Sequence, residues 1–386
     1  MRMLVPYSAG GGYDLYARTI ARHWGRHIPG NPNFIVQNMP GGAGVVAANY
    51  LFKAAKRDGL TVAIMNRETP AQEVSRLPGV EFKAQEFSWL GNANVEMTVA
   101  VVRAETGIKT LKDIINAPKP VVVGSTGAGA VNHNLPAVLK EVLNCNFRII
   151  TGYGGTSDIR AAMERGEVDG NAGWSWSSVI TTAAPLLEKN ALNILVYYAP
   201  EKNKEMQERG VPWIFDFPMS KQDRAYIETV FFSNAVGRPF AAPPGIASEQ
   251  LATLRSTFMK TVQDPAFLRE ADKLGLEVVN PFSGERVEKM VRSYLSTDPK
   301  ILESGAPSRR KNLKNDNSEL LRREAGANSP PLRMGRLLRA AFRSFCLARR
   351  FPAEIRPHRE PVIPTAQSNP ANRRRDWSIP IRYRTN

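Results

Sequence analysis

Short apolar runs alternate with amphipathic stretches along the first part of the chain. Residues 2–7, 34–37 and 60–65 are apolar runs of strand length. Between the first two runs, every fourth residue is apolar over a stretch of about four helical turns. Strands separated by single helices predict right-handed βαβ crossovers and a parallel sheet. The helical stripe comprises Tyr16, Ile20, Trp24 and Ile28.

The middle of the chain repeats this alternation, and the part after residue 239 is mainly helical. Further strands are predicted at residues 97–102, 120–124, 147–150, 191–197 and 277–280. Helices separate most of these strands, and glycine-rich turns precede several of the helices. The periodicity ends near residue 299. The pattern therefore predicts an α/β protein whose two lobes carry glycine-rich turns at matching positions.

Composition and charge narrow the class of protein. No run of 18 apolar residues occurs, so no membrane-spanning helix is predicted. The first residues do not combine a basic segment with an apolar core, so we expect no secretory signal in the sequence as it stands. Residues 301–386 hold 19 of the 52 lysines and arginines but only 7 of the 36 acidic residues. The first 300 residues are nearly balanced, so no nucleic-acid partner is expected for the folded part.

Four glycine-rich turns lie between predicted strands and helices, at residues 9–12, 40–44, 124–130 and 152–156. Glycine lets the backbone approach a ligand closely, and a helix start offers unpaired N–H groups and partial positive charge. Such turns at the carboxyl ends of strands form anion sites in α/β folds. The alternative for each turn alone is an ordinary tight connection. No nucleotide-binding, nucleophile-elbow or zinc-protease motif occurs, so no cofactor, no metal and no catalytic residue is predicted.

Four polar residues near these turns are candidates for ligand contact. Asp14 is predicted as a helix N-cap, as an acceptor for ligand hydroxyls, or as both. Asn66 and Arg67 follow the third strand, where Arg67 would pair with a carboxylate or point into solvent. His133 lies at a helix start, where it would face a cleft or be exposed.

Other residues have a structural alternative beside a functional one. His23 and His27 are four residues apart on one predicted helix, a spacing that suits a metal or a solvated helix end. Trp174 and Trp176 would form a cleft wall or pack in a core. Cys145 has no metal-ligand spacing around it.

Several separate segments together resemble the substrate-binding receptors of tripartite tricarboxylate transporters, the Bug family. The resemblance spans roughly residues 2–302, and the matching segments occur in the order typical of that family. They are residues 10–18, 27–32, 36–44, 47–51, 57–59, 152–156, 162–170, 237–245 and 264–268.

The resemblance implies a type 2 periplasmic-binding-protein-like fold with two α/β lobes and a ligand cleft between them. We expect one lobe from residues 1–102 plus 235–302, a second from residues 103–234, and a disordered, Arg- and Pro-rich tail at 303–386. The implied function is capture of a small carboxylic acid, without catalysis, for the membrane subunits of a tripartite transporter. A periplasmic monomer is expected. The alternative is an α/β enzyme that acts on a small carboxylate.

The resemblance also implies which turns hold the ligand. Ala130 stands where the family pattern has a serine, so one expected hydroxyl is missing. With the polar candidates above, the predicted ligand-binding residues are Ala9, Gly10, Gly11, Asp14, Asn66, Arg67, Ser125, Thr126, Gly127, Ala128, Gly129, His133, Gly154 and Gly155.

Overall fold

The computed structural model describes residues 1–296 of the chain. The expected tail lies outside the described residues. The strands are β1 (Arg2–Val5), β2 (Ile35–Asn38), β3 (Thr61–Ile64), β4 (Ser88–Asn92), β5 (Thr98–Arg103), β6 (Val121–Gly124), β7 (Phe147–Ile150), β8 (Gly170–Ser175), β9 (Leu192–Tyr198), β10 (Pro239–Ala242) and β11 (Phe282–Ser283).

The helices separate most of these strands. They are α1 (Gly12–Trp24), α2 (Val45–Asn49), α3 (Thr69–Val74), α4 (Leu111–Ile115), α5 (Val131–Val142), α6 (Thr156–Glu164), α7 (Trp176–Thr182), α8 (Ala184–Glu188), α9 (Lys204–Glu208), α10 (Lys221–Val230), α11 (Ser248–Val262), α12 (Pro265–Lys273) and α13 (Gly284–Leu295). No helix within residues 1–296 is long and apolar enough to cross a membrane.

The first sheet has six strands in the order β11-β4-β10-β3-β1-β2. Strand β1 pairs in parallel with β2 and with β3, as the crossover pattern of the first 65 residues predicts. Strand β10 runs antiparallel to both β3 and β4, and β11 runs antiparallel to β4. The parallel sheet predicted from the first strands is confirmed for β1, β2 and β3, and antiparallel pairs of β4, β10 and β11 extend it. The prediction of a strand at 277–280 is wrong, because no strand forms there and the short β11 begins only at Phe282.

The second sheet has five strands in the order β7-β6-β8-β5-β9. Strand β6 is parallel to β7 and β8, whereas β5 is antiparallel to β8 and β9. We call each sheet with its packed helices a lobe. The chain crosses from the first sheet to the second between β4 and β5, and it returns between α10 and β10. Sheet membership thus puts the first crossing before Thr98, whereas the predicted lobe boundary follows residue 102.

The apolar stripe of α1 anchors the core of the first lobe. Tyr16, Ile20 and Trp24 are fully buried, which confirms the predicted helical face. The Trp24 indole stacks on Phe34 at 5.3 Å between ring centroids. It also meets Phe258 edge-on at the same distance. Phe34 directly precedes β2 and Phe258 lies on α11, so these contacts fix α1 in its place beside the first sheet.

His23 at the end of α1 and His27 in the 3-10 turn that follows it bind carboxylates of the same lobe. The imidazole of His23 pairs with Glu270 on α12, and His27 Nε2 lies 2.8 Å from Asp264 Oδ2. His23 is buried, so the solvated-end alternative is wrong for it, and the two pairs join the end of the first helix to α12 and its N-cap residue. No group of three metal-binding side chains occurs among residues 1–296. Burial raises the pKa of the Cys145 thiol to about 12.

Candidate ligand-binding cleft

A cavity lies between the two lobes, beyond the carboxyl ends of β1, β3 and β6. Its space is about 470 Å³ when the mouth and the open solvent in it are included. Both lobes contribute to its wall. The lining residues are Tyr7, Gly11, Gly12, Tyr13, Asn66, Arg67, Thr126, Ala130, Val131, Asn132, Thr156, Gly173, Ser175 and Ser178.

The start of α1 forms one part of the wall. Gly11 is the N-cap residue, so the helix begins two residues before the predicted cap at Asp14, and that prediction is wrong. The first N–H groups of a helix have no partner within it, and they carry partial positive charge. Because Gly12 and Tyr13 line the cavity, this helix start is available to an anion.

Asp14 supports this helix start from behind. Its carboxylate accepts hydrogen bonds from Gly10 N–H, Arg18 Nε and Asn38 Nδ2, each at 2.9 Å. Burial opposes ionisation of Asp14, but these three donors outweigh it and hold the pKa below its usual value. Asp14 does not line the cavity. The geometry gives it the role of fixing the first loop, and its predicted contact with a ligand stays a prediction.

Arg67 provides a positive charge at the back of the cavity. Its side chain is buried, with 4% of the residue exposed, so the alternative in which it points into solvent is wrong. Nη1 donates to Ser175 Oγ at 3.2 Å, and Nη2 donates to Thr98 Oγ1 at 2.9 Å. Both hydroxyls belong to the second sheet. Hydrogen bonds from the second lobe therefore hold in place a guanidinium that belongs to the first lobe.

Asn66 also reaches across the cleft. Its Nδ2 donates to the carbonyl of Ala43 at 2.7 Å and, more weakly, to that of Gly129 at 3.4 Å. Gln72 Nε2 donates to the same two carbonyls. The turn that contains Gly127 and Gly129 therefore packs on the first lobe.

Asn132, which the sequence does not single out, is the best-positioned polar side chain of the second lobe. Its Oδ1 accepts hydrogen bonds from Ser125 Oγ, Thr126 N–H and Thr126 Oγ1, at 3.1 to 3.2 Å. These contacts fix the amide group and leave its Nδ2 as the donor that is not used in them. Because Asn132 lines the cavity, it is suited to bind an acceptor there.

A buried ion pair lies beneath the cavity. Arg238 Nη2 is 3.0 Å from Glu96 Oε1, and both side chains are fully buried. The same nitrogen donates to Ser178 Oγ at 2.9 Å. The guanidinium also lies 4.4 Å from the Tyr13 ring and 4.8 Å from the Tyr16 ring. Burial lowers the pKa of Arg238, but the Glu96 carboxylate together with Tyr13 and Tyr16 outweighs this effect, and the net shift is upward.

Two predicted turns meet each other at the opposite edge of the cleft. Ser8 N–H donates to Gly154 O at 3.0 Å, and Ser157 Oγ donates to Ala9 O at 2.9 Å. A side chain at Gly154 would collide with Ser8, and one at Gly155 would crowd the same residue. These glycines allow the two lobes to approach.

The predicted residues thus divide into two groups. Gly11, Asn66, Arg67 and Thr126 line the cavity. The others lie outside the lining, in the glycine-rich turns or, for Asp14 and His133, on the first turns of α1 and α5. Among them, His133 is half-buried, and burial lowers its pKa. Those outside the lining are Ala9, Gly10, Asp14, Ser125, Gly127, Ala128, Gly129, His133, Gly154 and Gly155.

Residues 17–304 match the tripartite tricarboxylate transporter family receptor. The chain belongs to this family. It is 23% identical over 309 residues to a UPF0065 protein of Bordetella pertussis, and the match covers 78% of this chain and 88% of that protein. Receptors of the family bind solutes in the periplasm.

Two solved structures share its fold. The periplasmic binding protein BugD has 18% identity and a TM-score of 0.64, covering 79% of this chain and 97% of BugD. MatC of Rhodopseudomonas palustris, solved with bound malate, has 19% identity and a TM-score of 0.63, covering 78% and 98%. The expected two-lobed periplasmic-binding-protein fold is confirmed.

Proposed function

We propose that this receptor captures a small organic acid in the periplasm and delivers it to the membrane subunits of a tripartite transporter. The observation that carries the proposal is the buried guanidinium of Arg67 in the wall of the cavity between the lobes. A buried cation in the wall of a cavity between two lobes favours an anion, and a planar guanidinium suits a carboxylate. The malate bound to MatC, a protein of the same fold, supports this ligand class.

The other polar groups of the cavity complete a carboxylate site. The start of α1 offers N–H groups at Gly12 and Tyr13 from the first lobe. Asn132 offers its amide from the second. A ligand with two acidic groups would use Arg67 at one end and the helix start or Asn132 at the other. We therefore propose a dicarboxylate as the preferred ligand.

Ligand capture would follow from closure of the lobes. Two hydrogen bonds between the lobes lie outside the cavity lining: Ser8 N–H to Gly154 O and Gln72 Nε2 to Gly129 O. They hold the lobes together. A ligand can contact both walls only when the lobes are closed. Its binding therefore stabilises the closed state and shifts the population toward it. The receptor would then present one closed surface to its membrane partner.

The alternative is an enzyme that acts on a small carboxylate. Among the described residues that line the cavity there is no histidine, cysteine or carboxylate. Its serine hydroxyls hydrogen-bond to arginines: Ser175 to Arg67, and Ser178 to Arg238. The receptor is therefore the better-supported function. Proton NMR of a bound acid would separate the two, since a receptor returns its ligand unchanged.

A panel of small acids tests the ligand class. Malate, succinate, adipate and citrate are compared with the neutral diamide of succinate, using thermal melting and titration calorimetry. A ligand that binds only the native state at 100 times its Kd stabilises it by about 2.7 kcal/mol. At least one dicarboxylate is expected to raise the melting temperature by several degrees, and the diamide is not. If no acid shifts the melting temperature, the carboxylate proposal fails.

The role of Arg67 has its own test. Arg67→Gln keeps a hydrogen-bond donor but removes the charge, so the affinity for the best dicarboxylate should fall by roughly 30-fold or more. Arg224→Gln is the matched control, because Arg224 is an exposed arginine of α10 that pairs with Glu228. That variant should bind like the wild type. Equal affinity in the two variants would show that Arg67 does not hold the ligand.

A further inference from the structure

A second cavity lies behind the ligand cleft, beside the segment that returns the chain to the first lobe. Its space is about 360 Å³ with the mouth included, and its wall is mainly apolar. Arg67 lines both this cavity and the ligand cleft. The polar residues that accompany it are Glu68 and Ser233. Arg67 therefore lies in the wall that separates the two cavities, and Glu68, which can carry the opposite charge, lies in the wall of the second one.

Glu68 is fully buried and incompletely hydrogen-bonded. Its Oε1 accepts a hydrogen bond from the Ser233 hydroxyl, which belongs to the returning segment. Its Oε2 has no hydrogen-bond partner among the described residues. A carboxylate with a free buried oxygen is costly in its charged form, and protonation of that oxygen relieves the cost. The geometry therefore offers a proton-binding site at Oε2.

The groups that act on Glu68 come from four parts of the fold. Arg67 precedes it in the chain and favours its charged form, as does the Ser233 hydroxyl. Tyr294 of α13 and Tyr7 of the first loop also interact with it electrostatically. Burial raises the pKa of both tyrosines, so these two rings stay neutral near pH 7. Within residues 1–296, the charge that balances Glu68 is therefore that of Arg67.

Burial is the largest influence on Glu68. It raises the pKa of Glu68 to about 7, and Arg67 and Ser233 oppose this rise. The carboxyl group thus changes charge close to neutral pH. The ionised carboxylate of Glu68 compensates the charge of the Arg67 guanidinium, and the protonated form does not.

We propose that Glu68 is a proton-binding site coupled to the ligand cleft, so that a dicarboxylate binds more tightly when Glu68 carries a proton. When Glu68 is ionised, its charge offsets that of Arg67. When Glu68 is neutral, the full charge of Arg67 is available to the ligand. The proposal rests on the proposed carboxylate function and on the position of Arg67 in both cavities.

Coupling between two sites is reciprocal. If a proton on Glu68 strengthens ligand binding, then a bound carboxylate must raise the pKa of Glu68 by the same factor. Ligand binding near neutral pH would therefore take up protons from solution. The affinity would rise as the pH falls through the region of pH 7, and it would level off once Glu68 is protonated in both states.

Titration calorimetry with malate tests the coupling. We expect malate to bind about 3- to 10-fold more tightly at pH 6.2 than at pH 8.7, which corresponds to a shift of about half a unit to one unit in the pKa of Glu68. Titrations at pH 7.5 in phosphate and in Tris should show proton uptake, because the two buffers differ in their heats of ionisation. In Glu68→Gln, which retains an acceptor for Ser233, the affinity should stay at its low-pH value throughout, with no uptake.

Two matched variants identify the source of any uptake. His133 is a half-buried titratable group at the start of α5. Glu277 has its pKa raised to about 7, first by burial and then by Glu96. His133→Asn and Glu277→Gln should both keep the wild-type pH dependence. Uptake that persists in Glu68→Gln, or that disappears in either of these variants, would overturn the proposal.

The outcomes also separate this inference from the proposed function. Malate binding that is equally tight at both pH values, without proton uptake, would overturn the coupling and leave the receptor function intact. If neither malate nor another acid of the panel binds at any pH, the carboxylate function and the coupling both fail. Thermal melts of Glu68→Gln, followed by circular dichroism, verify that the variant is folded at both pH values.

Discussion

Arg238→Met is expected to lower the free energy of unfolding by about 3–5 kcal/mol, the typical cost of removing one partner of a buried ion pair. Methionine fills much of the space between Tyr13 and Tyr16, so the loss would come mainly from charge. Glu96 would remain fully buried with hydrogen bonds from Ser177 and Asn94 but without a cation. Urea unfolding at pH 7 measures the effect.

A double variant separates charge from packing. Glu96→Gln combined with Arg238→Met removes both charges and should recover much of the lost stability, because replacing both partners of a buried pair is far less costly than removing one. If Arg238→Met alone costs less than about 1 kcal/mol, the buried pair does not stabilise the fold as its burial indicates. Equal losses in the single and the double variant would assign the effect to packing.

The first three strands show what the sequence predicts well. β1, β2 and β3 are short apolar runs next to recognisable turns, and each lies within two residues of its predicted position. Their parallel pairing follows from the helices between them. The fold class could therefore be predicted from local patterns, and the family resemblance supplied the two-lobed architecture.

The central strand of the second sheet shows what the sequence does not predict. β8 has the sequence Gly-Asn-Ala-Gly-Trp-Ser, which contains no β-branched residue and two glycines. Its Gly173 has a φ of +141°, and a side chain there would collide with the backbone of Asn132. The strand is fully buried because helix α5 packs directly on it. Such a tertiary contact overrides the local preference against a strand.

The binding site was predicted less completely than the fold. The sequence predicts the glycine-rich turns. A glycine marks a place where another group comes close to the backbone, but here that group is often a residue of the other lobe and not a ligand. Gly154 and Gly155 lie against Ser8, and Gly129 lies against Gln72. Arg238 gains its position from partners distant in the chain, so no local pattern singles it out. Asn132 is held by Ser125 and Thr126 of the turn before α5, a local contact that the glycine pattern of this turn does not indicate.

Gly12→Ala is expected to weaken ligand binding by about 100-fold or more, equivalent to about 2.7 kcal/mol. A Cβ atom at residue 12 would lie 1.8 Å from Ser178 Oγ and 2.8 Å from Ser178 Cβ. Gly12 is on α1 of the first lobe, whereas Ser178 is on α7 of the second, so the collision opposes closure of the cleft. Calorimetry with the best acid of the panel measures the loss, and small-angle scattering should show a larger radius with ligand present.

The cause of this loss can be isolated, because residue 12 is helical and an alanine there is not strained by its own backbone. Each lobe should therefore keep its stability. Ser178→Gly in the Gly12→Ala background removes both colliding atoms and should restore much of the affinity, whereas Ser178→Gly alone measures the loss of its hydrogen bond with Arg238. Wild-type affinity in Gly12→Ala would mean that ligand binding does not require α1 and α7 to meet. A double variant no better than Gly12→Ala would mean that the alanine acts within the first lobe, on the N–H groups of the helix start.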